Sequence, residues 1–215
     1  MYKLCLFDLD GTLTDPKTGI TKSYQYALSA FGIHESLDSL TKYIGPPLRD
    51  VFGKHYGFSE TVTESAVAKF REYFAETGLY ENSVYPGIPE FLDSLRESGK
   101  ELAVATSKVR LYSEKILKHF ELDGFFSFVS GDEMDGSLTK CGKREIVRIA
   151  MDAIDPVRKM STLMIGDRLH DIIGARDNGI DSAGVTWGYG TLSELEDAGA
   201  THIADSTNEL LRLII

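Results

Sequence analysis

The chain has 215 residues, of which 42% are hydrophobic and 26% charged, so it can bury a core as one domain with a modest insertion. Its net charge of −10 argues against a nucleic-acid polymer as partner, because that binding needs a basic surface. Two cysteines, no signal-peptide pattern and no apolar stretch of membrane-spanning length lead us to expect a cytoplasmic protein that does not bind membranes.

Short apolar runs along the chain predict five buried parallel strands. The runs read LCLFD, LAVATS, FFSFVSG, TLMIGD and SAGVTWG. Helical periodicity separates most of them and gives each helix one buried stripe. Two of these stripes are Ile88, Phe91, Leu92 and Leu95, and Ile146, Ile149, Ala150 and Ala153. Alternating strands and helices indicate an α/β sheet with helices on both faces.

The segment between the first and second predicted strands departs from this alternation. About seventy residues pass with helical patterning and no convincing strand, which is too long for a simple crossover. Asp15-Pro16 and Pro86-Gly87 are turn-forming dipeptides at its two ends. We therefore expect an inserted helical domain at 15–83, with 1–14 and 84–215 forming the rest of the fold.

The first predicted strand leads directly into two aspartates, in the run CLFDLDGTLTD. Side chains alternate along a strand, so Asp8 and Asp10 share one side while Leu9 points away. Like charges this close raise one pKa or require a nearby cation. The pair alone also fits a solvated acidic turn, so the residues at the other strand ends are needed to distinguish such a turn from a cation site.

Polar residues end two further strands, and ligands of open α/β sheets bind at such carboxyl ends. One strand ends in Thr106-Ser107 and another in Gly166-Asp167, with Asp171 one helical turn later. Carboxylates and hydroxyls from these ends should meet at one edge of the sheet. An oxygen-only cluster suits a hard cation such as Mg²⁺, and no histidine or cysteine pair has the spacing of a soft-metal site.

A positively charged helix start, in TKCGKREIVRIA, is the remaining component of this predicted site. Lys140, Lys143 and Arg144 stand where positive charge opposes the helix dipole. A lysine there can stabilise the charge of a phosphoryl group during its transfer. Lys143 is the candidate, and Lys140 stays open as the alternative.

Four runs in this order, DLDGTLTD, VATSK, KREIVRIA and GDRLHD, resemble the motifs of the haloacid dehalogenase-like superfamily. The sequence is most similar to its phosphatases with a small inserted helical cap, the phosphoglycolate phosphatase and 5'-nucleotidase-like group. The resemblance covers the whole chain. It implies a Rossmann-like, doubly wound parallel sheet as the catalytic core and identifies the inserted domain as the cap.

The resemblance also implies roles for the aspartates. Asp8 would be the nucleophile that forms an aspartyl-phosphate, and Asp10 would act as general acid and then general base. Mg²⁺ would be held by the carboxylates of Asp8 and Asp167 and by the backbone carbonyl of Asp10. Asp171 would have a supporting or water-mediated part in the metal site.

Substrate contacts follow from the same resemblance. Thr106 and Lys143 would hold the phosphoryl oxygens, and Ser107 is a further substrate-binding candidate. Many relatives have proline after this lysine where this chain has an arginine, which keeps Lys140 open. In the inserted domain, GPPLRD places Arg49 at a helix start, where it either meets the substrate or is solvated.

The expected activity is Mg²⁺-dependent hydrolysis of a small phosphomonoester, phosphoglycolate-like or nucleotide-like, through an aspartyl-phosphate. A phosphomutase similar to β-phosphoglucomutase is the alternative, because it shares the same core and differs in the acceptor. A non-catalytic binding protein that retains the fold is a third hypothesis. The sequence identifies neither the individual ester nor the oligomeric state.

Overall fold

The computed structural model describes residues 1–138, 142–157 and 161–215. This part of the chain divides into two compact units, one formed by Met1–Asp15 with Val84–Ile215 and the other by Pro16–Ser83. The first boundary between the units follows Asp15, one residue later than the boundary predicted from the sequence. The assignment of the units as catalytic core and cap stays a prediction.

The first unit is built on a parallel sheet. Its strands and those of a small second sheet are β1 (Leu4–Phe7), β2 (Thr14–Asp15), β3 (Ser83–Val84), β4 (Glu101–Val109), β5 (Phe128–Asp132), β6 (Thr162–Gly166), β7 (Asp181–Val185) and β8 (His202–Ala204). Among the described residues, six strands form the parallel sheet in the order β5-β4-β1-β6-β7-β8, and β2 pairs with β3. The order reverses around β1, which opens a binding crevice at the carboxyl ends of the central strands.

Helices follow most strands of the first unit and make up most of the second. They are α1 (Lys17–Ser29), α2 (Leu37–Leu40), α3 (Leu48–Asp50), α4 (Glu60–Tyr73), α5 (Ile88–Glu97), α6 (Arg110–His119), α7 (Arg144–Ile154), α8 (Leu169–Asp177), α9 (Leu192–Asp197) and α10 (Thr207–Ile214). Shorter 3-10 turns are Thr41–Tyr43 and Asp123–Phe125, and π-helical segments are Val51–His55 and Phe74–Gly78.

Helix α7 packs on the centre of the sheet and forms a buried apolar cluster with it. The cluster contains Leu4, Leu6, Ala103, Ala105, Ile146, Val147, Ala150, Met151, Met164 and Ala175. The predicted stripe of this helix was wrong at two positions, since Ile149 is only half-buried and Ala153 is exposed. Val147 and Met151 are buried instead, because the face that packs on the sheet is rotated toward them. The stripe predicted for α5 is buried throughout.

The second unit has its own aromatic core around Tyr24 of α1. The ring of Tyr24 lies edge-on to Phe70 of α4, with centroids 4.9 Å apart, and 5.5 Å from Phe52. The start of α1 also approaches the end of the unit closely. A Cβ on Gly19 would lie 1.9 Å from the carbonyl oxygen of Gly78, so only glycine fits there.

The predicted fold class is confirmed: a Rossmann-like α/β sheet with an inserted helical unit. Each of the five predicted runs overlaps a strand of the main sheet. Strand β8 was not predicted, because its three residues at the sheet edge are too few to give a pattern. In the described part of the chain, no helix combines the length and apolar character needed to span a membrane.

Candidate active site

The aspartates expected at the site follow the ends of the central strands. Asp8 comes directly after β1 and Asp167 directly after β6. The backbone N–H of Asp8 donates to the carbonyl of Ile165 at 2.9 Å, which fixes these two strand ends together. Both aspartates are buried. Parallel pairing therefore brings together carboxylates that are far apart in sequence.

A buried acidic triad forms at this edge of the sheet. One carboxylate oxygen from each of Asp8, Asp167 and Asp171 lies within 4.8 Å of the others. Burial and the charges of Asp171 and Asp8 raise the pKa of Asp167 to about 8. Burial also raises the pKa of Asp171 to about 6, although the ammonium of Lys143 opposes that increase. The carboxylates therefore destabilise one another in their ionised forms.

The donor set of this triad fits a hard divalent cation. Its ligand atoms are carboxylate oxygens, which Mg²⁺ prefers, and the acidic charges exceed that of the neighbouring ammonium. A bound cation would remove the repulsion that raises the carboxyl pKa values. The structure thus brings together three of the four predicted metal-binding aspartates by their side chains, and Asp10 was expected to contribute only its backbone carbonyl.

Lys143 is the basic group that faces the triad. It stands at the N-terminal cap of α7 and is only 4% exposed. Its Nζ lies 2.7 Å from Asp8 Oδ1 and forms an ion pair with Asp171 Oδ1. Burial lowers the pKa of Lys143, but Asp171 and Asp8 outweigh burial and raise it. The alternative residue, Lys140, lies outside the described residues.

Two glycines allow the close approach of backbone and carboxylates. Gly11, in the turn after β1, has φ of +89°, and a Cβ there would lie 2.2 Å from Asp167 Oδ2. A Cβ on Gly166 would lie 2.1 Å from Asp171 Cγ. Neither position has room for a side chain, which explains the glycines within DGT and GDR.

The loop after β7 also contacts the Asp167 carboxylate. This contact was not predicted from the sequence. The backbone N–H of Tyr189 donates to Asp167 Oδ2 at 2.7 Å. Trp187 Nε1 donates to the carbonyl of Thr12 at 3.1 Å, which ties the same loop to the turn after β1. The glycines of TWGYG were the available signal, because a loop of this kind brings backbone donors close to a carboxylate.

Asp10 lies beside the triad and has a different partner. Its Oδ2 forms an ion pair with Lys108 Nζ. Burial raises the pKa of Asp10, and the charge of Lys108 opposes that increase. Lys108 ends the VATSK motif but was not identified as a site residue, because the sequence does not show how far its side chain extends or that it contacts Asp10.

The two predicted hydroxyl residues of β4 differ in environment. Thr106 is buried, and its Oγ1 accepts a hydrogen bond from the backbone N–H of Lys108 at 3.3 Å. Ser107 is exposed. Thr106 therefore has the enclosed position expected of a phosphoryl-binding hydroxyl, whereas Ser107 stays a prediction without further support.

Arg49 belongs to the second unit and pairs within it. Its Nε lies 2.5 Å from Glu64 Oε1, and its Nη2 donates to Glu64 Oε2 at 2.9 Å. The hydrogen bond from Arg49 lowers the pKa of Glu64. Because both side chains are partly exposed, this pair is accessible to a competing anion.

Comparison with known proteins gives concordant matches. Residues 5–185 match the family model described as haloacid dehalogenase-like hydrolase. The chain is 46% identical to a 5'-nucleotidase of Pseudomonas aeruginosa, over 94% of this chain and 90% of that protein. It is 36% identical to tyrosine-protein kinase PtkA of Mycobacterium tuberculosis, over 93% of this chain and 67% of that protein. A crystal structure of a predicted phosphatase from Clostridium acetobutylicum superposes with a TM-score of 0.92 at 44% identity, covering 100% of this chain and 98% of the other.

Proposed function

Because this chain belongs to the haloacid dehalogenase-like hydrolases and is a phosphoric monoester hydrolase of that family, we propose that it hydrolyses a small-molecule phosphomonoester through an aspartyl-phosphate on Asp8, with Mg²⁺ as cofactor. The observation that carries this proposal is the buried triad with Lys143 against Asp8. That arrangement provides a nucleophile, a cation site and a phosphate-binding ammonium at one point.

In the first half-reaction a carboxylate oxygen of Asp8 attacks the phosphorus of the ester. The bond from phosphorus to the leaving oxygen breaks, and Asp10 gives that oxygen a proton so that it departs as an alcohol. Burial favours the protonated form of Asp10 needed for this step, since it raises the pKa. The phosphoryl group is then carried by Asp8.

In the second half-reaction water attacks the phosphorus of the aspartyl-phosphate. Asp10, now ionised, takes a proton from that water, and the bond between phosphorus and the Asp8 oxygen breaks. Inorganic phosphate leaves, and both aspartates return to their starting forms. Each half-reaction therefore moves one proton through Asp10.

Lys143 and Thr106 bind the oxygens of the phosphoryl group in this proposal. Lys143 is held by Asp171, so its ammonium is already positioned and needs little reorganisation during transfer. Mg²⁺, held by Asp8, Asp167 and the Asp10 carbonyl with Asp171 nearby, would neutralise phosphate charge and keep Asp8 ionised.

The substrate class is a small phosphate ester of the nucleotide or phosphoglycolate type. The similarity to a 5'-nucleotidase supports nucleoside monophosphates as the first substrates to test. The net charge of −10 means that an anionic substrate depends on local cations such as Lys143 and Mg²⁺. Purified protein should release inorganic phosphate from at least one member of a Mg²⁺-supplemented panel of nucleotides, phosphoglycolate and sugar phosphates.

Asp8→Asn is the decisive variant, because it keeps the shape of the nucleophile and removes its charge. We expect it to fold and to lose at least about a thousandfold in kcat. Acid-quenched reactions with ³²P-labelled substrate should leave label on the wild-type protein and none on the variant. Asp38→Asn, at a side chain that is 92% exposed, is the control and should keep full activity.

Two outcomes would contradict this proposal. Turnover of Asp8→Asn near the wild-type level would exclude the aspartyl-phosphate on Asp8. Label that moves from the protein to a sugar hydroxyl, with no inorganic phosphate released, would support the phosphomutase alternative instead. Identification of the products therefore separates the hydrolase from a phosphotransferase that uses the same nucleophile.

A further inference from the structure

The ion pair between Lys108 and Asp10 lies outside the acidic triad, and the mechanism above does not use Lys108. The two side chains are only 9% and 15% exposed. A buried ion pair is weak evidence for stability, because desolvation of the charges offsets their attraction. Its position beside the proposed acid and base therefore suggests a part in the chemistry.

The backbone of β4 explains how Lys108 reaches Asp10. The register between β4 and β5 shifts between Ala105 and Val109. Within this irregular stretch the N–H of Lys108 donates to Thr106 Oγ1 at 3.3 Å. Such an irregularity changes the direction of the side chains that follow it. The irregular end of β4 thus determines the positions of both the buried Thr106 hydroxyl and the Lys108 side chain.

The two carboxylate oxygens of Asp10 are not equivalent. Oδ2 is bound by the ammonium of Lys108. Among the residues that the structure describes, Oδ1 is buried and has no hydrogen-bond partner. An ammonium has donors and no acceptor, so a proton on Asp10 cannot sit between Oδ2 and Lys108. Any proton that Asp10 carries therefore belongs on Oδ1.

We propose that Lys108 is a positioning residue for the phosphoryl-transfer reaction: by binding Asp10 Oδ2, it presents Oδ1 as the atom that exchanges the proton with the leaving oxygen and later with water. This inference rests on the proposed function. In the first half-reaction the proton passes from Oδ1 to the leaving oxygen as the phosphorus–oxygen bond breaks. In the second it returns to Oδ1 from the attacking water.

Dependence on the leaving group tests this role. The quantity to measure is kcat/KM, which reports steps up to departure of the alcohol and so excludes attack by water. An alkyl phosphate needs a proton on its leaving oxygen, whereas p-nitrophenolate leaves without one. Lys108→Met should lower kcat/KM about tenfold to a hundredfold on the alkyl ester and by less than about threefold on p-nitrophenyl phosphate.

Three further variants separate positioning from other roles. Lys108→Arg keeps a donor-only cation and should restore the alkyl-ester rate to within several-fold of wild type. Lys115→Met removes a lysine from the exposed face of α6 and should match wild type on both esters. Adding Lys108→Met to Asp10→Asn should cause no further selective loss on the alkyl ester, because the positioned group is already absent.

Equal losses on both esters would overturn the inference and make Lys108 a phosphate-binding residue. A further selective loss in the Asp10→Asn background would do the same, since Lys108 would then act independently of Asp10. If thermal melting shows that Lys108→Met does not fold, Lys108→Ala, which also removes the donor to Asp10 Oδ2, serves in its place with the same expected selectivity. Failure of the proposed function is distinct, because wild-type protein would then show no Asp8-dependent phosphate release.

Discussion

At the scale of single residues, the crowding of carboxylates is the main physical feature of the site. Asp8, Asp167 and Asp171 share a small buried volume, and Lys143 compensates only part of their charge. Burial of unpaired charge costs free energy, and here it appears in the raised pKa of Asp167. The metal-free protein therefore carries a cost that a bound cation would remove.

Substitution of Asp167 by asparagine measures this cost. In excess chelator, Asp167→Asn should melt at or above the wild-type temperature, because the variant no longer holds a carboxyl whose ionisation the buried site disfavours. Magnesium at about a hundred times its dissociation constant should stabilise the wild type by about 2.7 kcal/mol and leave the variant unchanged. Differential scanning calorimetry with and without Mg²⁺ checks both expectations.

Activity provides the second readout for the same prediction. Chelator should abolish phosphate release by the wild type, and added Mg²⁺ should restore it, whereas Asp167→Asn should stay inactive in both conditions. The exposed variant Asp38→Asn should respond to Mg²⁺ as the wild type does. Full wild-type activity in excess chelator, or an equal thermal shift in Asp167→Asn, would exclude Asp167 as a metal ligand.

The sequence predicted which aspartates meet, because parallel strands bring their carboxyl ends to one edge whatever the details of the loops. It did not predict the partners that orient them. The contact from Lys108 to Asp10 depends on a register irregularity within β4, and the one from Tyr189 to Asp167 depends on how a loop folds back. Neither is encoded in the spacing or periodicity of the residue types.

At the scale of elements, the turn after β1 determines how closely the backbone approaches Asp167. Gly11 combines a positive φ with the absence of space for a Cβ. We expect Gly11→Ala to displace the Asp167 carboxylate and lower kcat/KM at least a hundredfold, with a loss of about 1–3 kcal/mol in the free energy of unfolding. Steady-state kinetics and urea unfolding measure the two effects.

Gly99 offers a matched control for this substitution. It also has a positive φ, at +73°, but a Cβ added there would have no neighbouring atom within 4 Å. Gly99→Ala should therefore lose roughly 1–2 kcal/mol from backbone strain alone and keep its kinetics. Equal kinetic parameters for the two alanine variants would show that the contact with Asp167 has no catalytic consequence.

The prediction of elements succeeded where apolar runs are long and buried. Strands β1 and β6 are buried along their whole length, and their sequences, LCLF and TLMIG, are apolar except for Thr162. Strand β8 lies at the sheet edge and has three residues, so pairing with β7 rather than its own pattern defines it. The stripe of α7 was misplaced for a related reason, because the sheet determines which face is covered.

At the scale of the whole molecule, the second unit supplies Arg49 as the residue to test for substrate choice. Loss of a charge-assisted hydrogen bond to the leaving group typically costs about 1.5 to 3 kcal/mol. Arg49→Ala should therefore lower kcat/KM on the preferred substrate roughly ten- to a hundredfold and spare a small ester such as p-nitrophenyl phosphate. Parallel kinetics on the two substrates provide the measurement.

Glu64→Ala is the control that the ion pair makes available. If Arg49 serves only to pair with Glu64, both alanine variants should behave alike and lose at most about 1 kcal/mol of stability. If Arg49 meets the substrate, Glu64→Ala should keep or improve the activity that Arg49→Ala loses. Equal losses on large and small esters by Arg49→Ala would instead connect this arginine to the bond-breaking step.

The contact between Gly19 and Gly78 holds the start and the end of the inserted helical unit together, which affects how readily insertions and replacements in that unit are tolerated. With Gly19 N–H donating to the carbonyl of Glu81 at 2.9 Å, the helical unit begins and ends at nearly the same point. The entropy of closing a loop depends on the free chain between its ends, and here those ends are already joined. The entropy of closing the connection between β2 and β3 is therefore that of a short turn, whatever the length of the inserted unit. We expect the unit to tolerate insertion or replacement without a change in the strands that hold Asp8 and Asp167.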